Sequence, residues 1–293
     1  MRSKDEIVAA AAERQRRRTG FIGSVLRIAR VTAVIVLLIA LVLSVFQDGL
    51  IWHPRLYDAD DTPPGRLVAL PFTTSDGAQT AWWRAPDAPG LPRRVWVVFN
   101  GNASTAWDWV GFATAPPAPD IGVLIIDWPG FGRSAGNQSE PSILRAADGA
   151  EAALAQRLGM PPADLRARIA VLGHSMGTGA ATAWVAQRGA TGLILIAPYT
   201  SLGDMAWRQF GPFALMLKHD FNNRRRLAEL LARPDAPPVL IVHGDADEVI
   251  PVDMGRRLAA GHPGRVRLLI VPGGDHNGVI DNAERELAAE MTR

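Results

Sequence analysis

Residues 169–187 read Ile169-Ala170-Val171-Leu172-Gly173-His174-Ser175-Met176-Gly177 followed by TGAATAWVAQ. An apolar run of β-strand length enters G-x-S-x-G, and a stretch of small residues suited to a tightly packed helix leaves it. This strand–turn–helix context requires a sharp turn. It holds the Ser175 hydroxyl above the end of a sheet, and the flanking glycines leave room for the backbone. The stretch therefore predicts an α/β fold with a candidate nucleophile at a strand's C-terminal end.

Working outward, Arg94–Phe99 (RVWVVF), Gly122–Asp127 (GVLIID), Gly192–Ile196 (GLILI), Val239–Val242 (VLIV) and Val266–Val271 (VRLLIV) are apolar on both faces. Strands of a parallel sheet covered on both sides read this way. Leu67–Phe72 and Thr80–Arg84 predict an early hairpin. Helices are expected near 141–157, 176–188, 225–232, 253–261 and 281–292. The alternation implies a mostly parallel sheet with right-handed crossovers.

A serine nucleophile needs a base and an acid that orients it. Open α/β sheets place their sites beyond the carboxyl ends of the strands. His276, in Pro272-Gly273-Gly274-Asp275-His276-Asn277 after the last strand, is the expected base. His174 adjoins the nucleophile and is expected to point elsewhere; His53, His219 and His262 fall in less suitable segments. The acid comes from the loop after VLIV, which holds Asp245, Asp247 and Glu248, or is Asp275 beside the histidine. Residue count past the strand favours Asp247. The loop after RVWVVF, Asn100-Gly101-Asn102-Ala103, and the residue after the serine supply backbone N–H donors for an oxyanion, which would be those of Asn102 and Met176.

The segments FNGNA, DWPGFGRSAG, LGHSMG, APYTSL, HGDADEVIP and GGDHN, spanning residues 99–277, resemble those of the α/β-hydrolases. The similarity is strongest to membrane-anchored members with a short lid, which include eukaryotic protein depalmitoylases and bacterial periplasmic hydrolases often labelled as peptidases. The resemblance implies Ser175 as nucleophile, Asp247 as acid, His276 as base, and Asn102 with Met176 as oxyanion donors. It implies hydrolysis of an ester, thioester or amide on a small acyl or peptide substrate, without a cofactor. Peptidase action on short peptides and a non-catalytic binding module are the alternatives. The family usually has His-Gly where this chain has Asn100-Gly101, and glycine where it has Ser104. The backbone donor can survive both changes, which bear instead on how the oxyanion loop is braced.

Gly130-Phe131-Gly132-Arg133-Ser134-Ala135 matches a dinucleotide-binding pattern, yet NQSEP follows where a Rossmann helix should begin. The segment is expected only to turn the chain. Residues 202–237 form a candidate lid carrying Met205, Trp207, Phe210, Phe213, Met216 and Leu217. These either wall an acyl site or pack a short helix. Trp107, Trp109 and Trp128 are candidates for the pocket lining or for the core.

Of 31 Lys and Arg, eight lie in residues 1–30; of 29 Asp and Glu, three do. The first 30 residues thus carry +5 and the remainder −3, which argues against a nucleic-acid-binding domain. Val31–Phe46 (VTAVIVLLIALVLSVF) is free of charge, and Gly49–Trp52 could lengthen it with Trp52 at the interface. The expected organisation is a basic cytoplasmic tail over 1–30, a transmembrane anchor over 31–52 and a hydrolase domain over 53–293. The arginines before the span place the catalytic domain outside the cytoplasm, as in a bacterial periplasm. A cleaved signal peptide is the rival, but SVFQDG after the apolar run lacks an A-x-A site. The chain has no cysteine, and its six histidines form no HxxxH or HExxH pair, so neither a disulfide nor a metal site is expected.

Overall fold

The computed structural model describes residues 4–58, 60–114 and 117–293. Met1–Ser3 of the basic tail and Ala59 lie outside the described residues. By internal contacts the chain divides into two units, Met1–Leu50 and Ile51–Arg293.

The first unit is helical. Helix α1 runs Lys4–Ile51 and extends into the first residue of the second unit. Within it, Ala12–Ile51 is long and apolar enough to cross a membrane, its most apolar 18-residue window having a mean hydropathy of 2.7.

The second unit is built on one eight-stranded sheet. Its strands are β1 Val68–Thr74, β2 Gly77–Arg84, β3 Arg94–Phe99, β4 Ile121–Ile126, β5 Ile169–His174, β6 Leu193–Ile196, β7 Val239–Gly244 and β8 Val266–Val271. The order is β1-β2-β4-β3-β5-β6-β7-β8. β1 and β2 pair antiparallel, as do β2 and β4, and every later pair is parallel. The helices are α2 Val110–Thr114, α3 Glu140–Leu158, α4 Pro162–Arg166, α5 Gly177–Arg188, α6 Leu202–Phe210, α7 Asn223–Leu231, α8 Val252–Ala260, α9 Val279–Asn282 and α10 Glu284–Thr292.

The two-residue period of each strand sorts its side chains onto two cores. Val95, Val97 and Phe99 of β3 join Leu124 and Ile126 of β4 against α3, α5 and α7. Trp96 and Val98, with Val123 and Ile125, face Trp109 and Leu287 of α10 instead. Both cores exclude water from every central strand, which is why those runs show no polar face. The helix expected over 281–292 is broken into α9 and α10 at Ala283, which leaves the helical region at φ −108°. No Gly or Pro marks that break.

After β4 the chain turns through Gly130 and Gly132, both at positive φ, before Ser139 caps α3. The dinucleotide-like pattern thus lies in a turn, ahead of any helix. The 202–237 segment folds as α6, a 3₁₀ stretch Gly211–Met216 and α7. Leu202 and Met205 face the main cleft, whereas Trp207 and Phe210 are exposed to solvent. Trp128 is core, and Trp107 stacks on Tyr57 at 3.7 Å between ring centroids.

Candidate active site

β5 ends at His174, and Ser175 makes the turn into α5 with φ of 52°. A side chain in that left-handed region costs on the order of 1–3 kcal/mol and persists only where its surroundings hold it. The Ser175 N–H donates to the Ile196 carbonyl at 2.9 Å, and the Thr178 hydroxyl donates to the Ser175 carbonyl at 2.6 Å. Gly177 allows the tight approach: a Cβ there would stand 2.2 Å from the Phe99 carbonyl oxygen and 2.3 Å from that of Asn100.

The loops after β7 and β8 bring the other candidates to the same edge. His276 Nε2 lies 2.9 Å from Ser175 Oγ, and its Nδ1 lies 2.8 Å from Asp247 Oδ2. A carboxylate only accepts, so the proton sits on Nδ1 and leaves Nε2 unprotonated, facing the Ser175 hydroxyl. The other Asp247 oxygen, Oδ1, accepts the N–H groups of Val249 and Ile250 at 2.9 and 2.8 Å. Burial alone would raise the Asp247 pKa. The donors His243, His276 and Ile250 outweigh it and hold the carboxyl well below its usual range. The remaining acid candidates point away from His276. Asp245 accepts the Gly273 N–H, Asp275 accepts those of Asn277 and Gly278, and Glu248 is exposed.

His174 corrects one expectation. Its Nε2 donates to the His276 carbonyl oxygen at 3.1 Å, and the two rings lie 5.2 Å apart. Burial lowers its pKa from 6.5 to about 4, so near neutral pH the ring is uncharged. His243, which the sequence reading did not single out, is fully buried behind Asp247. Its Nε2 donates to the Ile250 carbonyl at 2.9 Å and lies 3.4 Å from Asp247 Oδ2. The position of His243 at the end of an apolar strand was the only available signal for it.

The Asn102 and Met176 backbone N–H groups take no acceptor among the described residues. The loop that carries Asn102 is braced without the family's usual histidine. Asn100 Nδ2 donates to the Ser104 carbonyl at 2.6 Å and closes the loop on itself. Behind this loop, Asp127 is buried and accepts from Trp82 Nε1, the Tyr57 hydroxyl and the N–H groups of Ala106 and Arg133. Burial raises the Asp127 pKa, only partly offset by those donors. Trp52 is also placed differently from the expectation. It lies within the second unit, 3% exposed and edge-on to Trp128 and Phe221.

Around Ser175 and His276 lies a cleft of about 1130 Å³. Its apolar lining includes Trp109, Leu202, Met205, Val249 and Ile280. His53 and Arg55 also border it.

Comparison with known proteins adds four findings. A family model described as serine aminopeptidase, S33, matches residues 90–234, which include Ser175 and end before Asp247 and His276. An uncharacterized protein of Mycobacterium tuberculosis is 30% identical over 217 residues, covering 73% of each chain. The uncharacterized protein YfhR of Escherichia coli is 25% identical over 247 residues, covering 81% of this chain and 82% of that one. Among solved structures, an esterase of Pyrococcus furiosus has a TM-score of 0.60 at 16% identity. The match covers 81% of this chain and 96% of the esterase, a likeness of fold.

Proposed function

The chain belongs to the α/β-hydrolase family, and on that premise we propose that it is a serine hydrolase acting through an acyl-enzyme on an ester, thioester or amide. The observation that carries this reading is the continuous hydrogen-bonded line Ser175–His276–Asp247, at 2.9 and 2.8 Å. In the reaction, His276 Nε2 takes the Ser175 proton as Oγ attacks the substrate carbonyl. Asp247 keeps the imidazole in the required tautomer and stabilises the imidazolium. The N–H groups of Asn102 and Met176 receive the negative oxygen of the tetrahedral intermediate, worth roughly 3–4 kcal/mol for each donor. The leaving group departs with the proton from His276. A water deprotonated by the same nitrogen then releases the acid from Ser175.

Trp109, Leu202, Met205 and Ile280 in the cleft offer apolar contacts that suit a carboxylic acyl group. His53 and Arg55 border that cleft and would suit a polar group on the same substrate. Cleavage of short peptides is the second reading, favoured by the description of the matching family model. A non-catalytic binding module on the same fold is the remaining alternative, and a complete triad argues against it. We further propose that α1 anchors the protein with residues 1–30 in the cytoplasm and the catalytic unit on the other side, on the strength of the arginines preceding the span.

The test uses the full chain in detergent. A fluorophosphonate probe is expected to label the wild type and not Ser175→Ala. Labelling of that variant would remove Ser175 from the mechanism. A panel of acyl esters and thioesters against aminoacyl amides decides the substrate class, and turnover of the amides alone would favour the peptidase reading.

A further inference from the structure

The oxyanion loop is tied to the segment that precedes the sheet. Asn102 Nδ2 donates to the Ile51 carbonyl at 2.6 Å, and Asn102 Oδ1 accepts the His53 N–H at 3.1 Å. One side chain thus spans the backbone on both sides of Trp52. That segment is itself fixed on several sides. Trp52 is buried with its indole N–H directed at His219 Nε2 (3.3 Å). The Arg55 carbonyl accepts the Gly132 N–H at 2.8 Å, and the Tyr57 hydroxyl donates to the buried Asp127 at 2.8 Å. A second tie comes from Arg55, whose Nη1 lies 3.3 Å from the Ala103 carbonyl and 2.8 Å from Asp108. Ala103 has φ of 59°, a conformation that an alanine keeps only when its neighbours impose it.

We propose that residues 51–57 are a working part of the active site: the Asn102 side chain clamps the oxyanion loop to the Ile51–His53 backbone and so fixes where the Asn102 N–H points. This rests on the hydrolase reading above and assigns Asn102 a positioning role through its side chain, separate from the donor role of its backbone. Primary amides suit the task because they donate and accept at once, matching one carbonyl and one N–H. An oxyanion donor acts only if it is aimed before the charge develops, and a displacement of about 1 Å can cost on the order of 100-fold in rate. The clamp also explains how the loop dispenses with the family's histidine. Besides the Asn100–Ser104 bond, its brace is supplied by the segment after the apolar helix.

The experiment compares full-length wild type, Asn102→Ala, Asn102→Asp and Arg55→Ala in detergent. The readouts are kcat and KM on a chromogenic ester, affinity for a trifluoromethyl ketone, and melting temperature. Asn102→Asp matches asparagine in size and keeps the acceptor for His53, but sets an oxygen against the Ile51 carbonyl. Both Asn102 variants are expected to lose about 10- to 100-fold in kcat with KM within about twofold, and ketone affinity should fall in parallel. Arg55→Ala should show the same pattern more weakly. Retention of kcat and ketone affinity by either Asn102 variant overturns the clamp. So does a loss of melting temperature with kcat and KM worsening together, which marks a purely structural role. Wild type that neither takes the fluorophosphonate label nor turns over any ester would instead sink the hydrolase reading, and the clamp with it.

Discussion

His174 Nε2 donates to the backbone carbonyl of His276 at 3.1 Å, so the residue before the proposed nucleophile holds the main chain of the proposed base. His174→Ala removes that donor and is expected to lower kcat by about 10-fold, as a misaligned base would. His174→Gln presents an amide N–H near the same point and should retain most of the activity. Equal activity in all three proteins would show that the contact has no catalytic consequence.

The same histidine makes stability depend on pH. Its pKa falls from 6.5 to about 4 on folding because the buried ring resists charge. Between those values the unfolded chain binds more protons, so stability drops as pH falls from about 6.5 towards 4 and levels off below. The effect amounts to roughly 3 kcal/mol. His174→Gln should flatten this segment of the curve. Asp127, whose pKa is raised by burial, works in the opposite direction but titrates in both proteins, so the difference between them isolates His174. Chemical unfolding at a series of pH values measures it, and parallel curves would contradict the assignment.

Asp247→Asn should reduce kcat by about 1,000- to 10,000-fold with little change in KM, because an amide in that position no longer holds the required tautomer. Asp245→Asn and Asp275→Asn serve as controls. Their carboxylates hold loop N–H groups rather than His276. Each should cost about 1 kcal/mol of stability and leave kcat within a few-fold. A silent Asp247→Asn alongside a damaged control would move the acid elsewhere.

Gly177→Ala sets a methyl group against two backbone carbonyls, which cannot move aside as a side chain can. A destabilisation of about 3 kcal/mol is expected, together with loss of turnover as the elbow shifts. Urea unfolding alongside ester kinetics tests this, and a variant as stable and active as wild type would refute the close approach.

Under the proposed topology an alkaline phosphatase fused after Arg293 should be active, because that enzyme functions only outside the cytoplasm and the basic tail precedes the apolar run. Activity confined to a cytoplasmic reporter at the same site would reverse the topology. Mature protein beginning near residue 48 would identify the helix as a cleaved leader.

Much of this was legible in the chain alone, because it depends on local pattern. Two-sided apolar runs mark strands that must be covered on both faces, and Arg94–Phe99 and Val266–Val271 coincide with β3 and β8 to the residue. Gly173–Gly177 marks a turn that only small flanking residues permit. Candidate triad residues could be named because loops after parallel strands share one edge of the sheet. What only the tertiary structure decided lies in contacts between segments distant in sequence. Among Asp245, Asp247, Glu248 and Asp275, a difference of one or two residues rotates a carboxylate towards or away from His276. Trp52, read as an interfacial residue, is buried in the core because Trp128 and Phe221 meet there. The clamp of Asn102 on Ile51 and His53 spans about fifty positions and uses backbone atoms common to every residue. No side-chain pattern encodes such a partner; it exists only once the sheet has brought the two segments together.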